Sequence, residues 1–136
     1  TEDVCKKVLP VFRHKSYCFI GHNILGYDIF ILRNLFREVG EELDMQDLAL
    51  RCIDTLALSR AYHFGVTPPK YEDCPRKFLL WQYKMLSKYQ RGMKTSLSAM
   101  CKEFNVEVDE TRTHDGLYDT KINKTVFKKL EYALEF

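Results

Sequence analysis

The chain has 136 residues, of which 46% are hydrophobic and 29% charged, and its formal net charge is +2. That composition fits one ordinary globular domain with a sizeable core; near neutrality, overall charge makes no argument for nucleic acid, no run of about twenty apolar residues offers a membrane span, and no secretion leader is visible. Five scattered cysteines, Cys5, Cys18, Cys52, Cys74 and Cys101, without a Cys-x-x-Cys pair, speak against a zinc ribbon and a secreted disulfide framework, so an intracellular compartment, cytoplasmic or nuclear, is expected.

From Thr1 to Arg13, Val4, Val8, Val11 and Phe12 recur at helical offsets, with Glu2 and Asp3 in the first turn where the helix dipole favours them. This predicts a helix that Pro10 weakens or ends, leading through His14-Lys15-Ser16 into a strand. Tyr17-Cys18-Phe19-Ile20 is that strand, and its lack of polar alternation predicts burial on both faces of a mixed or parallel sheet. Gly21-His22-Asn23-Ile24-Leu25-Gly26-Tyr27-Asp28 then turns the chain into a helix stopped by Gly40. Asp28 shares a helical face with Ile31, Leu32, Leu35, Phe36 and Val39. His22 and Asn23 stand at the strand end, where open α/β sheets bind ligands. Tyr27 is expected either to meet substrate or to pack in the core.

Leu48 to Arg51 leads into a second short strand at Cys52-Ile53, and Asp54-Thr55 caps a helix from Leu56 to His63. Capping is the expected duty of Asp54, with metal ligation in reserve. Pro68, Pro69, Asp73 and Pro75 mark a loop from Gly65 to Pro75, and Arg76 to Lys94 then holds six cations, four aromatics and no acid. As a helix it aligns Phe78, Trp81, Met85 and Tyr89. Three readings are open: contact with a nucleic-acid strand through Lys77, Trp81, Lys84, Lys88 and Arg91; docking of a partner protein; or an aromatic core side with solvated lysines. Thr95 or Ser96 caps a further helix with an inner stripe of Leu97, Met100, Cys101 and Phe104, and Asn105 to Thr113 is a polar connection that delivers His114.

Beyond it, Asp119, Asn123, Val126, Phe127 and Leu130 fall on one side of a helix. A carboxylate on such a stripe is neutralised, holds a cation, or sits wetted at the stripe's edge. His114, five residues upstream, has the near-neutral pKa of a proton carrier.

Two helices thus each carry an acid in the first turn of an apolar stripe. Gly21-His22-Asn23 with Tyr27-Asp28 resembles the second motif of the DEDD 3′ to 5′ exonucleases, and His114 followed by Asp119 matches the His-x4-Asp third motif of their DEDDh branch. Ile53 to Arg60 and Ser96 to Met100 lie between them in the expected order, so the resemblance covers about Tyr17 to Leu130. It implies an α/β fold with an RNase H-like mixed sheet flanked by helices, with a basic aromatic helical insertion near 65–94. It also implies two ions, Mg²⁺ or Mn²⁺, about 4 Å apart, hydrolysing phosphodiester bonds of DNA or RNA from a free 3′ end. Carried over residue by residue, Asp119 and Asp28 bind metal, His114 accepts the proton of the attacking water, and His22, Asn23 and Tyr27 lie against substrate.

The family's first motif, Asp-x-Glu on the first strand, is absent from the sequence: Glu107-Val108-Asp109 has the acids reversed, and Asp109-Glu110-Thr111 lacks the spacer that points both side chains to one face. Residues 1–136 are therefore expected to be part of an exonuclease domain without its early strands, inactive alone, with the missing ligands supplied by a further segment or another chain. The alternative is a catalytically inactive exonuclease-like module that binds nucleic acid or a protein. A proofreading domain of the tyrosine branch ranks below both, because Asp115 stands where that branch has tyrosine.

Overall fold

Two three-residue strands, Phe19–Gly21 (β1) and Cys52–Asp54 (β2), lie at the centre of the computed structural model, which describes residues 2–136. They run parallel in the register Phe19–Cys52, Ile20–Ile53, Gly21–Asp54. Around them lie α1 (Glu2–Arg13), α2 (Ile29–Glu38), α3 (Met45–Leu50), α4 (Thr55–Phe64), α5 (Pro75–Ser87), α6 (Leu97–Glu103) and α7 (Gly116–Leu134). The architecture is mixed α/β and mostly helical. No helix among the described residues is long and apolar enough to cross a membrane.

Successive strand residues face opposite ways, and β2 uses both faces. Cys52 enters a core built by α1, α2 and α3, with Cys5, Leu9, Ile29, Phe36 and Leu48. Ile53 enters a second core built by α4 to α7, with Leu58, Phe78, Met85, Met100 and Leu130. All three residues of β2 are buried. Arg51, just before β2, is 7% exposed and ties the layers together: it pairs with Asp47 at 3.0 Å and donates to the carbonyls of His14 and Tyr17 at 2.8 and 3.2 Å.

The two edges of the sheet differ. Beyond β2, the side-chain amide of Gln82 on α5 takes the place of a neighbouring strand: Oε1 accepts from the Asp54 N–H at 2.7 Å and Nε2 donates to the Cys52 carbonyl at 3.1 Å. Gln82 is fully buried. Among the described residues β1 has no such cover. Its Phe19 N–H bonds the Arg51 carbonyl at 2.8 Å, so by parallel alternation the Ile20 backbone groups point away from β2. The expectation that this strand is buried on both faces is corrected as well, since Ile20 is 41% exposed.

Other departures from the periodicity have local causes. The first helix runs through Pro10 to Arg13 and buries Cys5 and Leu9, while Val4 and Val11 face solvent. Cysteine acts there as a small hydrophobe, which moves the stripe by one residue. The helix α3 stands where only a lead-in to a strand was expected, capped by Asp44 accepting from the Asp47 N–H at 3.1 Å. The basic helix is shorter than predicted, ending at Ser87 rather than Lys94. The last helix keeps its predicted stripe, with Val126, Phe127, Leu130 and Leu134 buried.

Candidate functional site

The turn after β1 is held from below by one carboxylate. Asp54, fully buried, accepts from the N–H groups of Asn23 at 2.8 Å, Leu25 at 3.0 Å and Leu56 at 2.9 Å. One side chain thus caps α4 and pins the turn that carries Asp28. Burial pushes the Asp54 carboxyl up, against the pull of the N–H donors around it. With its oxygens committed to backbone donors, Asp54 has no place in reserve as a metal ligand.

Asn23 takes a left-handed conformation, φ 63°, and folds its side chain over Gly26, where a Cβ would stand 2.4 Å from Asn23 Oδ1. A larger residue there would have to push the Asn23 amide aside. The chain then winds a single π turn, Ile24–Asp28, before α2 begins. Such wide turns recur at functional sites, and this one presents Asp28 at the helix entrance without a capping bond. Partial burial pushes the Asp28 carboxyl up. Tyr27 is 61% exposed beside it.

The last helix is tied to the same place by a polar chain. His22 Nε2 donates to the Thr95 carbonyl at 3.0 Å, its Nδ1 meets Thr55 Oγ1 at 2.9 Å, and Thr55 Oγ1 donates to Asn123 Oδ1 at 3.0 Å. Burial lowers the pKa of His22. Both ring nitrogens are occupied within the protein, so His22 joins the end of β1 to α4, α7 and the segment before α6 and is not a free substrate contact. Asn123 lies four residues, about one helical turn, after Asp119.

The outcome is a pocket of about 290 Å³ whose walls include Ile20, Asp28, Leu97, Asp119, Asn123 and Lys124. Two carboxylates ninety-one positions apart in the chain share it. Neither side chain makes a hydrogen bond or ion pair among the described residues. Asp119 also borders a second, more apolar slot of about 290 Å³ between α6 and α7, lined by Cys101, Val106, Val108 and Ile122.

His114 does not line either pocket. It stands exposed in a turn with φ 74°, just before the Asp115 cap of α7. That turn is braced by Tyr118, whose hydroxyl accepts from the Asp109 N–H at 2.6 Å and whose ring lies under Arg112. Of the basic segment, Lys77, Lys84, Lys88 and Arg91 are exposed, whereas Trp81 leans on Phe78 at 5.6 Å and packs against the second core. Trp81 is therefore corrected from a stacking surface to a packing residue, and Tyr89 leaves the stripe because the helix has already ended.

Gln82 has no expected role in the sequence, and Thr55 and Thr95, expected there only as helix caps, instead hold His22. A signal existed only for Gln82, a polar residue four after Phe78 and three before Met85, on the stripe that is otherwise buried.

Unpartnered carboxylates lining one pocket suit a hard divalent cation in kind. In number they suit one Mg²⁺, which keeps several waters and takes one or two carboxylates, and they fall short of a pair of ions. Among the described residues no group of three or more His, Cys, Asp or Glu side chains gathers that could hold a metal. Compared with known proteins, the chain matches no family model, no curated protein and no solved structure.

Proposed function

We propose that residues 1–136 form part of a DEDDh-type 3′ to 5′ exonuclease with an RNase H-like sheet, acting on DNA or RNA with Mg²⁺ or Mn²⁺. The observation that carries this reading is the shared pocket of Asp28 and Asp119, two unpartnered carboxylates delivered by separate elements. The open edge of β1 supports it further: an extended segment adding there enters beside Ile20, a wall of the same pocket, and can bring the carboxylates this chain lacks. Gln82 closes the opposite edge, so a strand can add on one side only.

Within this reading Asp28 and Asp119 hold the cation, which when bound supplies charge neutralisation at the phosphate and an acidified water. His114, on its exposed turn five residues before Asp119, would serve as the proton acceptor for the attacking water. Tyr27 offers an exposed ring to the substrate. His22 and Asn23 serve the turn and hold Asp28 in position.

The second reading, an inactive module that binds nucleic acid or a protein, is favoured by the lack of a third ligand among the described residues. Digestion of 3′-end-labelled DNA and RNA by the full-length protein with Mn²⁺ separates the two. The exonuclease reading expects nucleoside monophosphates from wild type and none from Asp119→Asn or His114→Ala. Strand binding without release of monophosphate would leave the module, and release that persists in Asp119→Asn would overturn the assignment of the carboxylates.

A further inference from the structure

A wider cleft is separate from the carboxylate pocket. It measures about 760 Å³, lies between α4 and α6, and is floored by Ser59, Tyr62, Thr95 and Ser98 with Lys94 and Lys102 on its walls. Its one acid, Glu103, already accepts from the Tyr62 hydroxyl at 3.3 Å. Both lysines are exposed, and neither has an ion-pair partner among the described residues.

The surrounding sequence is one-sided in charge. From Cys74 to Lys102 the chain holds seven cations and no acid, although the protein as a whole carries 21 Lys and Arg against 19 Asp and Glu. That excess is concentrated along α5, the loop from 88 to 96 and the cleft. Tyr89, five residues before Lys94 in that loop, is 74% exposed.

The cleft adjoins the carboxylate pocket. Thr95, Ser96 and Ser98 face the cleft, Leu97 between them faces the pocket, and the Thr95 carbonyl is the acceptor that fixes His22. A strand lying in the cleft crosses this short wall to reach Asp28 and Asp119.

We infer that the cleft between α4 and α6 binds the phosphodiester backbone of single-stranded nucleic acid, with Lys94 and Lys102 as phosphate contacts. Hydroxyls such as those of Ser96 and Ser98 donate hydrogen bonds to backbone oxygens, the lysines neutralise the phosphates, and the Tyr89 ring stacks any base. The inference deepens the proposed function by placing the strand upstream of the pocket, but the binding itself does not depend on hydrolysis.

Fluorescence anisotropy of a labelled oligothymidylate, titrated with the protein in EDTA over a range of salt, tests it. Wild type binds saturably, and each phosphate contact contributes about 0.7 to the slope of log affinity against log salt on single strands, so Lys94→Ala/Lys102→Ala lowers the slope by about 1.4 and weakens binding about tenfold per lysine at roughly 0.05 M salt. The charge-matched control Lys6→Ala/Lys7→Ala, on α1, leaves the slope unchanged. No saturable binding by wild type, an unchanged slope in the cleft variant, or an equal fall in the control each overturns the inference. Binding is read in EDTA, apart from hydrolysis, so wild type that binds the oligothymidylate saturably but releases no monophosphate with Mn²⁺ fails the functional reading alone, and wild type that releases monophosphate without saturable binding in EDTA fails this inference alone.

Discussion

Replacing Gln82 by leucine tests whether a side-chain amide seals the sheet. Gln82 supplies the only partners of the Asp54 N–H, at 2.7 Å, and the Cys52 carbonyl, at 3.1 Å, among the described residues, and all three residues are buried. Leucine fills much the same volume and removes both bonds. Each orphaned buried backbone group costs about 1–3 kcal/mol, or roughly 2–6 kcal/mol for the pair. The extra apolar burial returns about 1–2 kcal/mol, leaving a net loss of roughly 0–5 kcal/mol, centred on about 2.5 kcal/mol. Against a total of about 5–15 kcal/mol for a domain, this is a large fraction, and it lowers the melting temperature by about 10 °C. Urea denaturation with unchanged m-value measures it. A companion variant, Gln82→Glu, sharpens the test. As a carboxylate it loses the donor and places a charge beside Asp54; as a carboxylic acid it regains both an acceptor and a donor. Burial raises the folded pKa of such a group, so its stability is present at acid pH and lost as pH rises through that value. A loss under about 1 kcal/mol in Gln82→Leu, or no recovery of Gln82→Glu on acidification, would refute the role given to this amide.

His22 has a folded pKa below its unfolded value, so its contribution is present above about pH 6.5 and is lost as pH falls through the folded pKa. Urea midpoints taken between about pH 7.5 and 5 are expected to fall in wild type and to flatten in His22→Gln; equal slopes would count against a buried neutral ring. Asp54→Ala strips the N–H groups of Asn23, Leu25 and Leu56 of their acceptor and is expected to cost about 3–5 kcal/mol by chemical denaturation, whereas a cost of about 1 kcal/mol would mean that it is only a helix cap.

Local pattern made part of this legible. The stripe of α7, the Asp54 cap of α4, the Ser96 cap of α6 and the Gly40 stop, with φ 79°, all follow from side-chain offsets and backbone preferences within a few residues. The motifs named Asp28 and Asp119 together; both line one pocket, and metal binding by the pair is a proposal. Features that depend on distant partners were not legible. Gln82 acquires its meaning only when α5 packs along β2, and His22 loses its freedom only because Thr55 and Thr95 arrive from elsewhere in the chain. A six-residue helix such as α3 is too short to show a period, and the basic helix was drawn too long because aromatic spacing continued past Ser87 into a loop.

The central claim is that Asp28 and Asp119 hold one divalent cation between them, and paramagnetic broadening by Mn²⁺ addresses it without requiring tight binding or activity. Titrating Mn²⁺ into the isotope-labelled chain should broaden resonances of Ile20, Asp28, Leu97, Asp119 and Thr120 first, the residues around one pocket. The same additions to Asp28→Asn or Asp119→Asn should leave those resonances sharp. Broadening centred on another surface, or unchanged in both variants, would contradict the account.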